Sequence, residues 1–286
     1  MRETSMLPAV TPLILTYNEA PNIGRLLTTL AWAREIIVLD SFSTDATERI
    51  AGSFSNVIFG RRAFDNHAAQ WNAGLDRIRT DWVVALDADY VLTDSLREEI
   101  AELHNPSVVS AYFARFHYCV GGRPLRASLY PPRAVLFQKS KARYVQDGHT
   151  QRLEFSGPAR FLNGYLLHDD RKPLSRWLEA QRHYARLEAE KLAGRPAASL
   201  SVADHLRRSI WPAAPAAFFY TLLVKGCLFD GWRGWFYVLQ RTYAELLMSL
   251  ELLDHRLCRN DQPGTPAKVD EETETNAAIA VRVSRS

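Results

Sequence analysis

Cysteine is scarce in this sequence, and its thiols lie far apart: Cys119, Cys227 and Cys258 form no CxxC pair in 286 residues. An odd count at such separations implies neither a disulfide framework nor a cysteine zinc site, and suits a reducing compartment. Glycine and proline, fourteen of each, follow no short period, which excludes collagen-like and low-complexity chains. No repeat of solenoid length is present. No apolar run reaches the roughly 18 residues that a spanning helix needs. Residues 210–224 come nearest, but Pro212 and Pro215 interrupt them. The opening MRETSMLPAVTPLIL lacks the basic-then-apolar order of a secretory signal. These absences make a cytosolic chain the expectation.

What is present is ample core material, 47% hydrophobic against 23% charged, enough for one large domain or two modest ones. The net charge of +3 conceals an uneven distribution. Residues 1–170 carry 18 Lys and Arg against 19 Asp and Glu, whereas residues 171–241 carry 12 against 5. The basic segment also holds Trp232 and Trp235, so its partner is expected to be an anionic surface, lipid head groups or nucleic acid.

The first hundred residues alternate short apolar runs with helical periods, the pattern of βαβ units and a mainly parallel sheet. TPLILT, EIIVLD, VIFG and WVVALDAD are the expected strands. NEAPNIGRLLTTLAWA reads as a helix with Pro21 in its first turn, SFSTDATERIAGSF opens with capping residues, and DNHAAQWNAGLDRI follows as a third helix. Beyond Val91 the pieces YFARFHYCVGGRPLR, RAVLFQ, QRLEFSG and GYLLHDD predict an antiparallel extension. After Pro173 the chain turns helical, with RWLEAQRHYARLEAEKLAG stopping at Gly194. From Asn260 the composition is that of a mobile tail.

Each early strand delivers polar residues at its carboxyl end, where open α/β sheets bind ligands. Asp87-Ala88-Asp89 places two carboxylates at i, i+2 after an apolar run, hard oxygen ligands suited to Mg²⁺ or Mn²⁺ against a nucleotide diphosphate. Alone, such a pair is equally a solvated turn. It gains weight from Thr16-Tyr17-Asn18-Glu19, Asp40-Ser41-Phe42-Ser43-Thr44-Asp45 and Gln70-Trp71-Asn72, which precede it at about the spacing of successive βα units.

With these motifs in order, the sequence resembles the family 2 inverting glycosyltransferases of the GT-A fold, and within them the lipopolysaccharide core glucosyltransferase branch. The likeness spans residues 10–253 and extends to Leu166-Leu167-His168, Tyr184-Ala185 and the FDGWRG of residues 229–234. It implies an α/β GT-A catalytic domain at residues 8–170, a helical membrane-peripheral region at 171–258 and a disordered tail at 259–286. It also implies a nucleoside-diphosphate sugar as donor, first of all a UDP-sugar. Thr16, Asn18, Glu19, Asp40, Ser43, Asp45, Gln70 and Asn72 would border the donor, with Asp87 and Arg152 near ribose or diphosphate. Asp89, Asp87 and His168 would hold the cation, although His168 is equally a hydrogen-bonded histidine at a strand end.

An inverting transfer to a hydroxyl also needs a base within reach of the acceptor. The branch's glutamate position in its VHER-like stretch is here Gln151, which cannot serve, so Asp147 and His149 are the candidates. Asp147-Gly148 is otherwise an ordinary turn dipeptide. A polyprenyl-phosphate glycosyl synthase, whose anionic acceptor needs no base, is the alternative within the class. A catalytically silent binding protein on the same fold is the alternative outside it, favoured by Gln151.

Residues 210–224 are followed by Trp232, Trp235, Phe236 and Tyr237, flanked by Arg207, Arg208, Lys225, Arg233 and Arg241. Rings beside long basic side chains suit a bilayer interface, which predicts a location on the inner face of a membrane near a glycan or lipid-linked acceptor. A helical hairpin packed on the catalytic domain is the other reading, and the two differ in whether the rings stay exposed. Nucleic acid is the weaker partner, because no helix-turn-helix, RNP or zinc pattern accompanies the charge.

Overall fold

Strands buried on both faces need helices on both sides, and the first half of the chain supplies them. Strand β1 (Val10–Thr16) leads to α1 (Ile23–Thr29), β2 (Ile36–Asp40) to α2 (Thr47–Ala51), and β3 (Val57–Arg61) to α3 (His67–Leu75). Strand β4 (Trp82–Asp87) ends in the acidic motif. The four run parallel in the order β3-β2-β1-β4, with Leu13 opposite Ile37 and Ala85. Ile14, Val38 and Val84 face one core with Leu26 and Leu27 of α1. Leu13, Ile37 and Val83 face the other with Trp71 and Leu75 of α3. That second contact is close: a Cβ on Gly74 would fall 2.6 Å from Leu13 Cδ1, so glycine sets the distance of α3 from the sheet.

The coordinates are a computed structural model describing residues 5–260 except 104–107, 127–128 and 148–149. Past β4 come β5 (Tyr90–Leu92), α4 (Asp94–Ala101), β6 (Ala111–Val120), the short β7 (Arg123–Pro124), β8 (Arg133–Gln138), the hairpin β9 (Ala142–Asp147) and β10 (Thr150–Phe155), and β11 (Ala159–His168). The sheet continues β4-β8-β6-β11-β5. The extension is mixed rather than antiparallel: β8 opposes both neighbours, but β11 runs parallel to β6 because the β9–β10 hairpin carries the chain back first. Helix α4 was not expected; Thr93 caps it by accepting from the Leu96 amide at 3.3 Å.

Helix α1 is shorter than its sequence pattern, starting after Asn22 with Pro21 outside it. Helix α5 (Leu174–Gly194) ends where Gly194 predicts. Then follow α6 (Val202–Arg208), α7 (Ala213–Phe219), a π-helical turn at Tyr220–Val224 and α8 (Trp232–Asn260). The expected break in residues 210–224 is real, since Ile210 takes a left-handed φ of 68° and Pro212 caps α7. Tyr237 and Val238 of α8 pack with Leu222 and Cys227 against Val120 and Leu125. No described helix is long and apolar enough to cross a membrane. The expected tail lies, beyond Asn260, outside the described residues.

Candidate active site

The carboxyl ends of β1 and β4, together with Ser41 just past β2, open into a cavity of about 910 Å³, and α5 forms its opposite wall. Its lining crosses the boundary expected near residue 170: Lys172, Arg176, Trp177, Glu179, His183 and Tyr184 face it as directly as Thr16, Glu19, Gln70, Asp87 and Asp89.

The loops after β1 and β2 hold each other. Asp40, 1% exposed, accepts from Thr16 Oγ1 at 2.7 Å, the Ser43 amide at 2.7 Å and Ser43 Oγ at 2.6 Å. Ser43 Oγ in turn accepts from the Asn18 amide at 2.7 Å, and Asn18 Oδ1 accepts from the Thr44 amide at 2.8 Å. Asp45 accepts from the Ala20 amide at 3.1 Å and from Thr47; burial opposes its charge, but these bonds hold its carboxyl below the usual range. Asn18 and Phe42 sit at φ 54° and 60°, a conformation that non-glycine residues adopt only when their surroundings fix it. Asn18, Asp40, Ser43 and Asp45 therefore shape the loops beside the cavity and are not part of its lining.

Gln70 does line the cavity, held by Arg62 Nη1 at 2.7 Å and donating to Ser41 Oγ at 3.0 Å. Asn72 does not. Its amide clamps the backbone of Tyr144 in both directions, at 2.9 and 3.0 Å, tying α3 to β9. Arg152 is also off the site, exposed and bonded to Glu154 at 2.8 Å. Asp147 is drawn away by α5, with Lys191 Nζ at 2.7 Å and Arg195 at 3.6 Å; the Lys191 hydrogen bond outweighs burial and holds its carboxyl below the usual range. A carboxylate so paired is a poor base. His149 lies outside the described residues. Gln151 lines the cavity.

Asp87 closes β4, and Ala88-Asp89 then turns, so strand geometry does not continue; both carboxylates nevertheless line the cavity. Asp89 Oδ2 lies 3.1 Å from His168 Nε2 at the end of β11. Burial alone would raise Asp89, but the neighbouring His168 and Lys172 hold it well below the ordinary carboxylate range. His168 shows the converse: burial disfavours its charge, and Asp89 overcomes that and raises it. Tyr90, Tyr118 and Tyr130 set their rings edge-on to the imidazole, with centroids 4.6–5.3 Å away. Glu19 bonds Lys172 Nζ at 2.6 Å, and burial pushes its carboxyl up to about 7 against the pull of that lysine.

Two atoms in this arrangement are buried without a partner, Asp89 Oδ1 and His168 Nδ1. Orphaned buried polar atoms are costly, so they mark a place where something else binds. The described lining carries five carboxylates, Glu19, Asp87, Asp89, Asp170 and Glu179, against Arg133, Lys172 and Arg176. Such a cavity repels a diphosphate unless a further cation enters. Among the described residues, no three His, Cys, Asp or Glu side chains form a ready-made cage. The carboxylates that do line the cavity fit Mg²⁺ or Mn²⁺, which take few protein oxygens and complete their shell with water and phosphate.

Sequence reading missed Lys172, Arg133 and the α5 wall. The i, i+4 spacing of Arg176, Ala180 and Tyr184 was legible as one helix face, but nothing in it said that the face meets a cavity.

Residues 13–157, half of the chain, match the family model described as glycosyl transferase family 2. The lipopolysaccharide core biosynthesis glycosyltransferase LpsC of Rhizobium meliloti is 26% identical over 187 residues, 62% of this chain and 69% of that protein. The uncharacterized glycosyltransferase RP128 of Rickettsia prowazekii is 24% identical over 239 residues, 78% of this chain and 80% of that one. Among solved structures, Staphylococcus aureus TarS with UDP-GlcNAc superposes with a TM-score of 0.46 at 14% identity, covering 87% of this chain and 92% of that one. Glucosyl-3-phosphoglycerate synthase of Mycobacterium tuberculosis, with Mn²⁺, UDP and phosphoglyceric acid, gives 0.44 at 16%, covering 68% and 81%. The protein is a glycosyltransferase with a GT-A-type α/β domain. It belongs to glycosyl transferase family 2.

Proposed function

We propose that this glycosyltransferase moves a sugar, with inversion, from a nucleoside-diphosphate sugar to a hydroxyl of a cell-envelope glycan or lipid-linked acceptor. The observation that carries this reading is the buried Asp89–His168 pair, each partner with an unpartnered atom, at the floor of an acid-rich cavity. Asp89 and Asp87, with His168 against Asp89, would hold a divalent cation, Mg²⁺ or Mn²⁺, whose remaining ligands would be water and phosphate oxygens and which would supply Lewis-acid stabilisation of the departing diphosphate. The chain's own side chains do the rest. The paired loops after β1 and β2 give the nucleoside a fixed edge, with exposed Tyr17 as a flat apolar surface. Gln70 and Ser41 keep their mutual bond at the cavity wall. Lys172 neutralises Glu19 and approaches Asp170 at 3.7 Å, lowering the negative charge that the donor meets.

For the acceptor proton, Asp147 gives way to Glu179. Among the described residues, Glu179 is a cavity-lining carboxylate with no hydrogen bond or ion pair, and it stands on α5, across from the sheet. A carboxylate on that wall is placed to take a hydroxyl proton from the face opposite the leaving group. LpsC is named for lipopolysaccharide core biosynthesis, which supports an envelope glycan as acceptor.

The C-terminal region supports peripheral attachment to the inner face of a membrane. Trp211, Phe229 and Trp232 are 79%, 69% and 63% exposed, and basic side chains sit over such rings: Arg126 at 5.8 Å from the Phe229 centroid and Arg233 at 4.5 Å from that of Trp232. Rings that stay out beside cations are what an interfacial surface requires.

The test of the whole reading is release of nucleotide from UDP- and GDP-sugars with Mn²⁺, over a panel of envelope glycans. Turnover by the wild-type chain and its loss in Asp89→Asn support it. Nucleotide binding without hydrolysis or transfer on any acceptor overturns it in favour of a silent binding protein.

A further inference from the structure

The cations of the cavity are not equally occupied. Lys172 is spent on Glu19 at 2.6 Å and Asp170 at 3.7 Å. Arg176 lies over Tyr17, 5.9 Å from its ring centroid, on the side of the β1 loop. Arg133, at the start of β8, has one long ion pair, Nη1 to Asp87 Oδ2 at 3.8 Å, and makes no hydrogen bond among the described residues. Its guanidinium carbon lies 5.9 Å from the Tyr130 ring centroid, and its five N–H donors, one of them turned toward Asp87, are available to a ligand.

Position says what those donors face. Strand β8 pairs with β4 in antiparallel register, Val84 opposite Leu136, and continuing that register sets Arg133 across from Asp87. In the sheet β8 lies on the far side of β4 from β1 and β2, whose loops make the nucleoside edge. Arg133 therefore looks into the half of the cleft beyond the acidic motif. A planar, permanently charged fork with free donors inside an acid-rich cavity is matched by one ligand chemistry, an oxyanion bound bidentately.

We propose that Arg133 recognises a carboxylate or phosphate carried on the acceptor glycan, so that the enzyme selects an anionic acceptor. The inference rests on the glycosyl-transfer reading of this cavity and names its acceptor class. The donor's diphosphate is the other oxyanion that could reach Arg133, and the experiment separates the two.

The full chain is titrated with glucuronate, glucose 6-phosphate and neutral glucose, each with and without saturating UDP and Mg²⁺, and followed by thermal shift. The two anionic sugars are expected to raise the melting temperature whether or not UDP is present, and glucose is expected to leave it unchanged. Arg133→Gln should weaken anionic-sugar binding by about tenfold or more while leaving half-saturation by UDP and Mg²⁺ within about twofold. Arg133→Lys, which keeps the charge and loses the fork, should recover only part of it. If the anionic sugars compete with UDP, or if Arg133→Gln weakens UDP instead, Arg133 belongs to the donor and the proposal fails. Equal binding of glucose also overturns it. Failure of UDP and Mg²⁺ to stabilise the wild type breaks the donor reading separately, because the sugar titrations without nucleotide still report on Arg133.

Discussion

Two groups of polar side chains meet at the same cleft and are built on opposite terms. In the loops after β1 and β2, Asp40, Asn18, Ser43 and Asp45 satisfy one another so fully that little capacity is left for a ligand. Where the turn after β4 meets the end of β11, Asp89 and His168 share one bond and leave Asp89 Oδ1 and His168 Nδ1 buried and unpartnered. Saturated networks fix shape; a buried atom held in deficit is stable only if a ligand later repays it. Motif reading treats all these residues alike, as ligand contacts, whereas their hydrogen-bond accounts separate frame from working centre.

That contrast can be broken by substitution. Asp89→Asn should reduce turnover by about a thousandfold, the scale of losing a key electrostatic stabiliser, while lowering the melting temperature only at the pH values where His168 is charged. Steady-state rates with saturating donor and cation check it. Glu179→Gln should cost about a hundredfold in kcat with donor affinity intact, and a flat response would return the base to another group. Asp40→Ala should act chiefly on stability, by about 2–3 kcal/mol, since three donors lose their buried acceptor. Denaturant melts measure that, and an Asp40→Ala chain of normal stability and no activity would erase the distinction between frame and centre.

Smaller effects sharpen it. His168 is raised in the folded chain, so its charged pairing with Asp89 stabilises the fold fully below about 6.5 and is lost as pH rises through the higher folded value. The same proton must leave before the ring can ligate a cation, so Mn²⁺ affinity in the presence of UDP should increase with pH over that range. Calorimetric titration at several pH values reads both the affinity and the released proton. Asp147→Asn, which loosens only the ties to Lys191 and Arg195 at the C-terminal end of α5, should change kcat less than about threefold.

Much of the frame was legible before any coordinates. Parallel strands buried on both faces read as unbroken apolar runs, and TPLILT, EIIVLD and WVVALD show them. The acidic motif was visible at its strand end, and His168 was named only through the family resemblance. What failed was anything decided by which element lies opposite. Asn72 faces the backbone of Tyr144 and Asp147 faces Lys191, and neither partner is near in sequence. Arg152 sits in a hairpin whose other strand, Ala142–Asp147, the pattern did not reveal. Helix α4 hid because four of its eight residues are charged and its buried side is only Leu96 and Ile100.

The segment matching the family model stops at residue 157, yet the cleft goes on through His168, Lys172 and the inner face of α5. The floor pair is thus split across that limit, Asp89 before it and His168 after it, and α5 closes the roof. A chimera joined after Lys172 would keep Asp89, His168 and the Glu19–Lys172 pair from one parent and take α5 from another, so on the proposed reading an exchange of roofs should shift acceptor choice while donor binding stays put.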